Sequence, residues 1–194
     1  MIRIVGGTAG GRRLHAPDGR DTRPTADRAR EALFSTLAAL ITGGLGAFLD
    51  LYAGSGAVGL EARSRGAHRV TLIEHDPRAL RVLRDNVAAV DLGECTVLAG
   101  KVATVLGRGT DAGFDVLFAD PPYALPAADL AEVLALAADH GWLAGGAVVV
   151  VERASRDAAW TWPHGFTAAR ERRYGEATLW YARYAGADPD VQPV

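Results

Sequence analysis

The chain has one cysteine, one methionine and, among its 21 basic residues, a single lysine, Lys101. With only Cys95 there is no intrachain disulfide framework and no cysteine cluster for zinc. Long hydrophobic runs are also missing. No apolar stretch reaches the ~20 residues needed to span a bilayer, and the start "MIRIVGGTAGGRR" lacks the apolar segment of a secretory signal. His15, His68, His75, His140 and His164 show no metal-ligand spacing. The expectation is a cytoplasmic protein with no membrane segment and no metal. An excess of one charge is absent too, since the net charge is −2. With 49% hydrophobic and 23% charged residues in 194, the composition suits one globular domain with a sizeable core.

Charge is unevenly placed despite the near-neutral total. Residues 1–35 hold seven arginines (Arg3, Arg12, Arg13, Arg20, Arg23, Arg28 and Arg30) against four acids. GC-rich codon usage accounts for arginine over lysine but not for the clustering. A local phosphate footprint and an ordinary solvated surface both fit. Arg28 and Arg30 fall on an amphipathic helix, and Arg170, Arg172 and Arg173 pose the same choice near the C terminus.

The segments "IRIV" and "RRLHAP" flank "GGTAGG", which predicts an N-terminal hairpin or extended arm. "RPTADRAREALFSTLAAL" reads as a helix with Thr25 as N-cap and Ala29, Leu33, Leu37 and Leu40 on one face. From residue 47 the pattern alternates. Strands "AFLDLYA", "RVTLIEHD", "CTVLAG", "FDVLFAD" and "AVVVVE" are separated by helical stretches, including a short one near 101–107 and another across 127–138. Such alternation implies βαβ units and a parallel sheet covered on both faces. "TAARERRYGEATLWYARY" leaves no room for a helix and predicts a terminal hairpin that adds an antiparallel strand. Tyr174 and Gly175 suit its turn. Trp142, Trp160, Trp162 and Trp180 read as packing, and Cys95 as a buried strand residue.

In open α/β sheets ligands bind at the carboxyl ends of the strands. There "LDLYAGSGAVGLE" places Gly54, Gly56 and Gly59 with the spacing of a dinucleotide-binding loop, and Glu74 ends the next strand twenty residues after Gly54. The glycines also suit a plain strand-to-helix turn. Asp50 precedes the loop, where a carboxylate suits a cationic amino-acid moiety better than a pyrophosphate. S-adenosylmethionine, with an ammonium, a sulfonium and a ribose, therefore matches Asp50 and Glu74 better than NAD does. Tyr52 within the loop and His75 beside Glu74 join the cofactor-binding candidates.

The fourth strand of this series stops at Asp120-Pro121-Pro122-Tyr123. An exocyclic amine is a poor nucleophile because its lone pair is delocalised into the ring. Acceptors aimed at its N–H groups stabilise the change to a more tetrahedral, charged nitrogen. Asp120 and the Pro121 carbonyl supply such acceptors, the prolines stiffen the backbone, and Tyr123 offers a ring on which an extruded base can stack. Asp-Pro also starts helices, with Asp as N-cap, but that reading does not explain why the motif follows a cofactor-loop sheet.

These blocks, with "TRPTADRAREALF", "SRGA" and "RRYGEATL", resemble the bacterial 16S rRNA (guanine(966)-N(2))-methyltransferases. The resemblance runs from about Arg3 to Tyr184. The tetrapeptide alone is shared with adenine-N6 and cytosine-N4 enzymes, whereas "RPTADRARE" and "SRGA" are more specific. It implies a Rossmann-like class I S-adenosylmethionine-dependent methyltransferase, with a seven-stranded sheet, a terminal antiparallel hairpin and an N-terminal hairpin/helix extension. Domains are expected at 1–40 (an RNA-contacting arm), 41–185 (the methyltransferase domain) and 186–194 (a tail). Asp50, Tyr52, Gly54, Gly56, Glu74, His75 and Thr25 are expected at the cofactor, and Asp120, Pro121, Pro122 and Tyr123 at the chemistry. Arg12, Arg13, Arg23, Arg28 and Arg30 are expected on RNA. Thr22 to Thr25 fall in a block near the cofactor's methionine end or the RNA. The family often has an acidic or amide residue at adenine after the third strand. Here "AGKVA" leaves Lys101 or the Val102 backbone for that contact. The implied partner is 16S rRNA, in the small ribosomal subunit or an assembly intermediate, with the enzyme a monomer. The alternatives are an adenine-N6 or cytosine-N4 amino-methyltransferase, an NAD-dependent oxidoreductase, and an RNA-binding assembly factor without turnover.

Overall fold

The computed structural model describes residues 2–16 and 24–186, the side chains of 24–26 excepted. At the N terminus β1 (Ile2–Arg3) and β2 (Arg13–Leu14) pair antiparallel, Ile2 opposite Leu14. The hairpin is seated by a small apolar cluster of Ile4, Ala9, Leu14, Leu60 and Val90. Helix α1 (Pro24–Leu40) follows. It begins at Pro24 rather than after Thr25, because proline's fixed φ and missing N–H suit the first helical position. Thr25 therefore lies inside the helix and is not its N-cap.

Alternating strands and helices come next: β3 (Ala47–Leu51), α2 (Ala57–Ser64), β4 (Arg69–Glu74), α3 (Pro77–Val90), β5 (Cys95–Ala99), α4 (Val102–Leu106), β6 (Phe114–Ala119), α5 (Ala127–Asp139) and β7 (Leu143–Ala154). The hairpin β8 (Phe166–Tyr174) and β9 (Ala177–Tyr184) closes the sheet. The strand order is β5-β4-β3-β6-β7-β9-β8. Pairs from β5 to β7 are parallel, and β9 runs antiparallel to both of its neighbours. The terminal hairpin is thus present and supplies the one reversed strand.

Alternation along each strand sorts residues to two faces. Leu49, Leu51, Leu117, Val149 and Val151 pack with Val105, Leu106, Leu130 and Leu134 of α4 and α5. On the other face Phe48, Leu72, Val116, Phe118, Val148 and Val150 meet Leu33, Phe34 and Leu37 of α1 and Leu83 of α3. Helix α1 therefore shares the core of the sheet. Trp142 is buried, stacks on Phe114 and donates its indole N–H to the Leu106 carbonyl at 2.8 Å. Cys95 is half-buried on the edge strand β5, where burial pushes its thiol pKa up.

Other boundaries differ from the sequence reading as well. Asp76 is not in β4. It caps α3, accepting from the N–H groups of Arg78 and Ala79 at 3.0 and 2.8 Å, with Pro77 opening the helix. Strand β7 starts at Leu143, before the apolar run. Leu143 pairs with Phe114, and a register shift between Phe114 and Val116 takes up the glycines between. Among the described residues no helix is long and apolar enough to cross a membrane.

Candidate active site

Strand order reverses at β3: the chain runs outward through β4 and β5, then returns to β6 on the other side. A cleft of about 480 Å³ lies there. Tyr52 and Gly54 of the glycine loop, Glu74 and His75 after β4, and Asp120 and Pro122 after β6 all line it. Asp76, Arg78 and Arg81 of the α3 end and Ala16 beyond the hairpin complete its wall. The cofactor and chemistry candidates therefore share one cavity although 68 residues separate Tyr52 from Asp120 in the sequence.

The loop's backbone explains its composition. Tyr52, Gly54 and Gly56 all have left-handed φ, at 61°, 56° and 79°. At Gly56 a Cβ would sit 2.4 Å from a Leu83 methyl, so glycine is required both for conformation and for the close approach of α2 to α3. Gly59 is tight for another reason: its N–H donates to Asp50 Oδ2 at 2.9 Å, and a Cβ would lie 2.7 Å from Leu72.

Glu74 holds this loop. Its Oε2 accepts from the Gly54 N–H at 2.8 Å, and its Oε1 from the His75 and Asp76 N–H groups at 2.6 and 2.8 Å. The buried carboxylate thus ties the glycine loop to the end of β4 while facing the cleft. Asp50 is placed differently from the expectation of a direct contact. It is only 2% exposed and does not line the cleft; it lies beneath the loop on Gly59. Burial pushes its pKa up to about 8, with the nearby Asp120 and Glu74 carboxylates adding to the rise. The Tyr52 phenol is also pushed up to about 12, by burial and then by Asp129.

At the other rim Asp120 is exposed, Pro121 buried and Pro122 exposed. Tyr123 is 62% exposed, and the Arg156 guanidinium lies 5.9 Å from its ring. Gly56, Pro121 and Tyr123 stand near the cleft without lining it. His75 is exposed, with Nδ1 3.4 Å from Glu74 Oε1. Lys101 and Val102 do not line the cleft either: Lys101 is exposed at the start of α4 and Val102 is buried in the core.

The arginines divide. Arg13 and Arg28 are exposed, and Arg12 is exposed while one of its N–H groups donates to the Val90 carbonyl. Arg30 is buried at 7% exposure, pairs with Asp27 at 2.8 Å and Glu61 at 3.4 Å, and donates to the Arg3 carbonyl at 2.6 Å. Its guanidinium is committed to the hairpin, and that removes it from a phosphate-contacting surface. Arg23, Thr22 and the side chain of Thr25 lie outside the described residues.

Three polar residues were not singled out from the sequence. Asn86 is buried, donates to the carbonyls of Ser55 and His15 at 2.9 and 3.0 Å, and accepts from the His15 N–H at 2.8 Å. It joins the arm to the glycine loop. Glu61, fully buried, accepts from the Val5 and Gly6 N–H groups at 2.6 and 2.8 Å. Glu152 ends the apolar run of β7 beside Asp120, and burial and that neighbour push its pKa up. An acid closing an apolar strand was the visible signal for Glu152, as it was for Glu74 and Asp120.

The order of the sheet, its single reversed strand and the loop at its switch point are those of the Rossmann-like class I methyltransferases. Comparison with known proteins narrows this. A family model described as "Conserved hypothetical protein 95" matches residues 2–183. The "Ribosomal RNA small subunit methyltransferase D" of Escherichia coli (strain K12) is 39% identical over 193 residues, covering 98% of this chain and 94% of that one. The protein of the same name from Haemophilus influenzae is 31% identical, covering 90% and 89%. A solved Escherichia coli structure named "Putative methyltransferase yhhF" superposes with a TM-score of 0.81 at 36% identity, over 95% and 98% of the two chains. The chain belongs to this family of methyltransferases.

Proposed function

We propose that the chain transfers the methyl group of S-adenosylmethionine to the exocyclic N2 amine of a guanine in small-subunit (16S) ribosomal RNA, at position 966, acting as a monomer on the subunit or an assembly intermediate. The observation that carries this reading is one cleft shared by Gly54 and Glu74 with Asp120 and Pro122. Relatives named for small-subunit ribosomal RNA methylation, similar over nearly the whole chain, support the RNA class.

The residues present fit this cofactor. Asp50, Glu74 and Asp120 lie close enough for the other two to raise the pKa of Asp50. An ammonium and a sulfonium favour ionisation of these clustered carboxyls, whereas a pyrophosphate opposes it. That disfavours NAD. Tyr52, Gly54, Glu74 and His75 would hold the cofactor, with Asp50 supporting the loop from below. When bound, S-adenosylmethionine supplies an electrophilic methyl on a cationic sulfur. Asp120 accepts an N–H of the guanine amine and stabilises the positive charge that develops on nitrogen. The N–H proton passes to Asp120, and from that exposed carboxyl to solvent, once methyl transfer is under way, because only then is the nitrogen strongly acidic. Tyr123, exposed beside Asp120, stacks on the extruded base. Residues 1–40 supply the RNA-contacting arm through Arg12, Arg13 and Arg28.

Single-turnover methylation with saturating cofactor tests the assignment. Asp120→Ala is expected to lose ~10²–10³ in rate, the usual effect of removing one preorganised stabilising group. Asp120→Asn, which keeps one acceptor, loses less, and both variants still bind S-adenosylmethionine. Near-normal methylation by Asp120→Ala would sink the mechanism. Nucleoside analysis of the product RNA by mass spectrometry identifies the methylated atom.

A further inference from the structure

Glu152 has no part in the chemistry above, yet its position beside Asp120 is well defined. Ala119, the last residue of β6, is the register partner of Val151 of β7; Asp120 follows just past the strand and Glu152 follows on β7. Neighbouring parallel strands lie about 4.8 Å apart and residues at the same level face the same side. The two carboxylates therefore stand side by side at the mouth of the sheet. Tyr123 is within electrostatic reach of both, and of Glu176 and Arg156. Glu152 is half-buried, and its carboxyl is held towards the neutral form by burial and by Asp120. Two neighbouring carboxyls at the edge of the cleft match a ligand that presents two adjacent donors.

Only one of the four RNA bases offers that beside an exocyclic amine. Guanine carries N1–H next to its N2 amino group. Adenine places a lone pair at N1 next to its amino group, and cytosine a lone pair at N3. Resting on the guanine reading above, we propose that Glu152 is the base-selecting residue, accepting N1–H of the target guanine while Asp120 accepts from its N2 amine. Once ionised, Glu152 repels the N1 or N3 lone pair of adenine or cytosine, so in that form it both attracts the correct base and rejects the others.

The test compares the target RNA bearing guanine with the same RNA bearing 2-aminopurine, which keeps the N2 amine but has a lone pair at N1. The wild-type protein is expected to favour guanine by ~10–100-fold or more in kcat/KM, the discrimination of a well-placed base-edge hydrogen bond. Glu152→Gln, whose amide can donate to that lone pair, is expected to lower the guanine rate and collapse the preference, with S-adenosylmethionine affinity unchanged. An unaltered guanine to 2-aminopurine ratio in Glu152→Gln overturns the proposal. Equal wild-type rates on the two RNAs overturn it as well, whether or not the variant folds. The underlying guanine reading is checked separately in the same samples: if wild-type product lacks N2-methylguanosine, that reading fails first.

Discussion

At the scale of single residues, the acids of the cleft act through their protonation. The pKa of Asp50 is raised from 3.8 to about 8, so its burial favours folding fully below the lower value and that contribution is lost as pH rises through about 8. At pH 7 the unliganded carboxyl is mostly protonated. A cationic cofactor in the cleft favours the ionised form, and binding is expected to release up to about one proton. Calorimetric titrations of S-adenosylmethionine at pH 7 in buffers of different ionisation enthalpy measure this directly. The release should disappear in Asp50→Asn, which still accepts from Gly59. Glu74 carries two roles that one substitution confounds, since its carboxylate takes three backbone N–H groups and, in the proposed function, would also hold the cofactor, through the ribose hydroxyls. A cycle separates them. Loss of the ribose hydroxyls from the cofactor should weaken wild-type binding by ~1.5–3 kcal/mol, the worth of bonds to a charged acceptor. In Glu74→Gln the same loss should matter much less. An equal effect in both proteins removes Glu74 from the ribose.

At the scale of elements, the N-terminal hairpin is fastened by several buried side chains, Asn86, Arg30, Ser64 and Glu61 among them. Glu61 takes the Val5 and Gly6 N–H groups and pairs with Arg65 at 2.7 Å and Arg30 at 3.4 Å, all while fully buried. Removing one member of a buried charge cluster leaves the others uncompensated and typically costs about 3–5 kcal/mol. Glu61→Ala is expected to show that loss in chemical denaturation, and amide exchange should rise first at Val5 and Gly6. Exchange unchanged there would mean that the apolar contacts of Ile4 and Leu14 suffice. Such fastenings mark where the sequence stopped being legible. Strand and helix order was readable because apolar runs alternate with amphipathic ones. The terminal hairpin was readable because no helix fits between its strands. Glu61 and Asn86 were not, because a polar residue on an apolar helix face declares its partner only once the chain from residues 5–16 is folded onto it. Arg30 was misread for the same reason: helical spacing puts it on a face but does not say that another element covers that face.

At the scale of the whole molecule, acidic side chains gather at one end of the sheet, with Arg78 and Arg81 on the wall of the cleft beside them. The carboxyl ends of four adjacent strands, β4, β3, β6 and β7, carry Glu74, Asp50, Asp120 and Glu152. This row of acids suits a cationic cofactor and offers nothing to a phosphate backbone, so phosphate contacts fall to basic side chains outside it. Arg12, Arg13 and Arg28 are exposed on the hairpin and α1, close in the chain to Ala16 on the cleft wall. If they contact phosphates, each adds counterion release and steepens the dependence of binding on salt. Replacing all three with glutamine should reduce the slope of log K against log salt by roughly 2 on a single-stranded target, with S-adenosylmethionine affinity unchanged. Arg30 belongs outside that set, because Arg30→Gln should lower stability through Asp27 and Glu61 and leave the slope of the folded protein where it was. A slope that stays fixed in the triple variant would assign the arm to ordinary solvated surface. One that moves with Arg30→Gln alone, in protein shown to be folded, would mean that the hairpin's seating, and not its exposed charge, governs RNA capture.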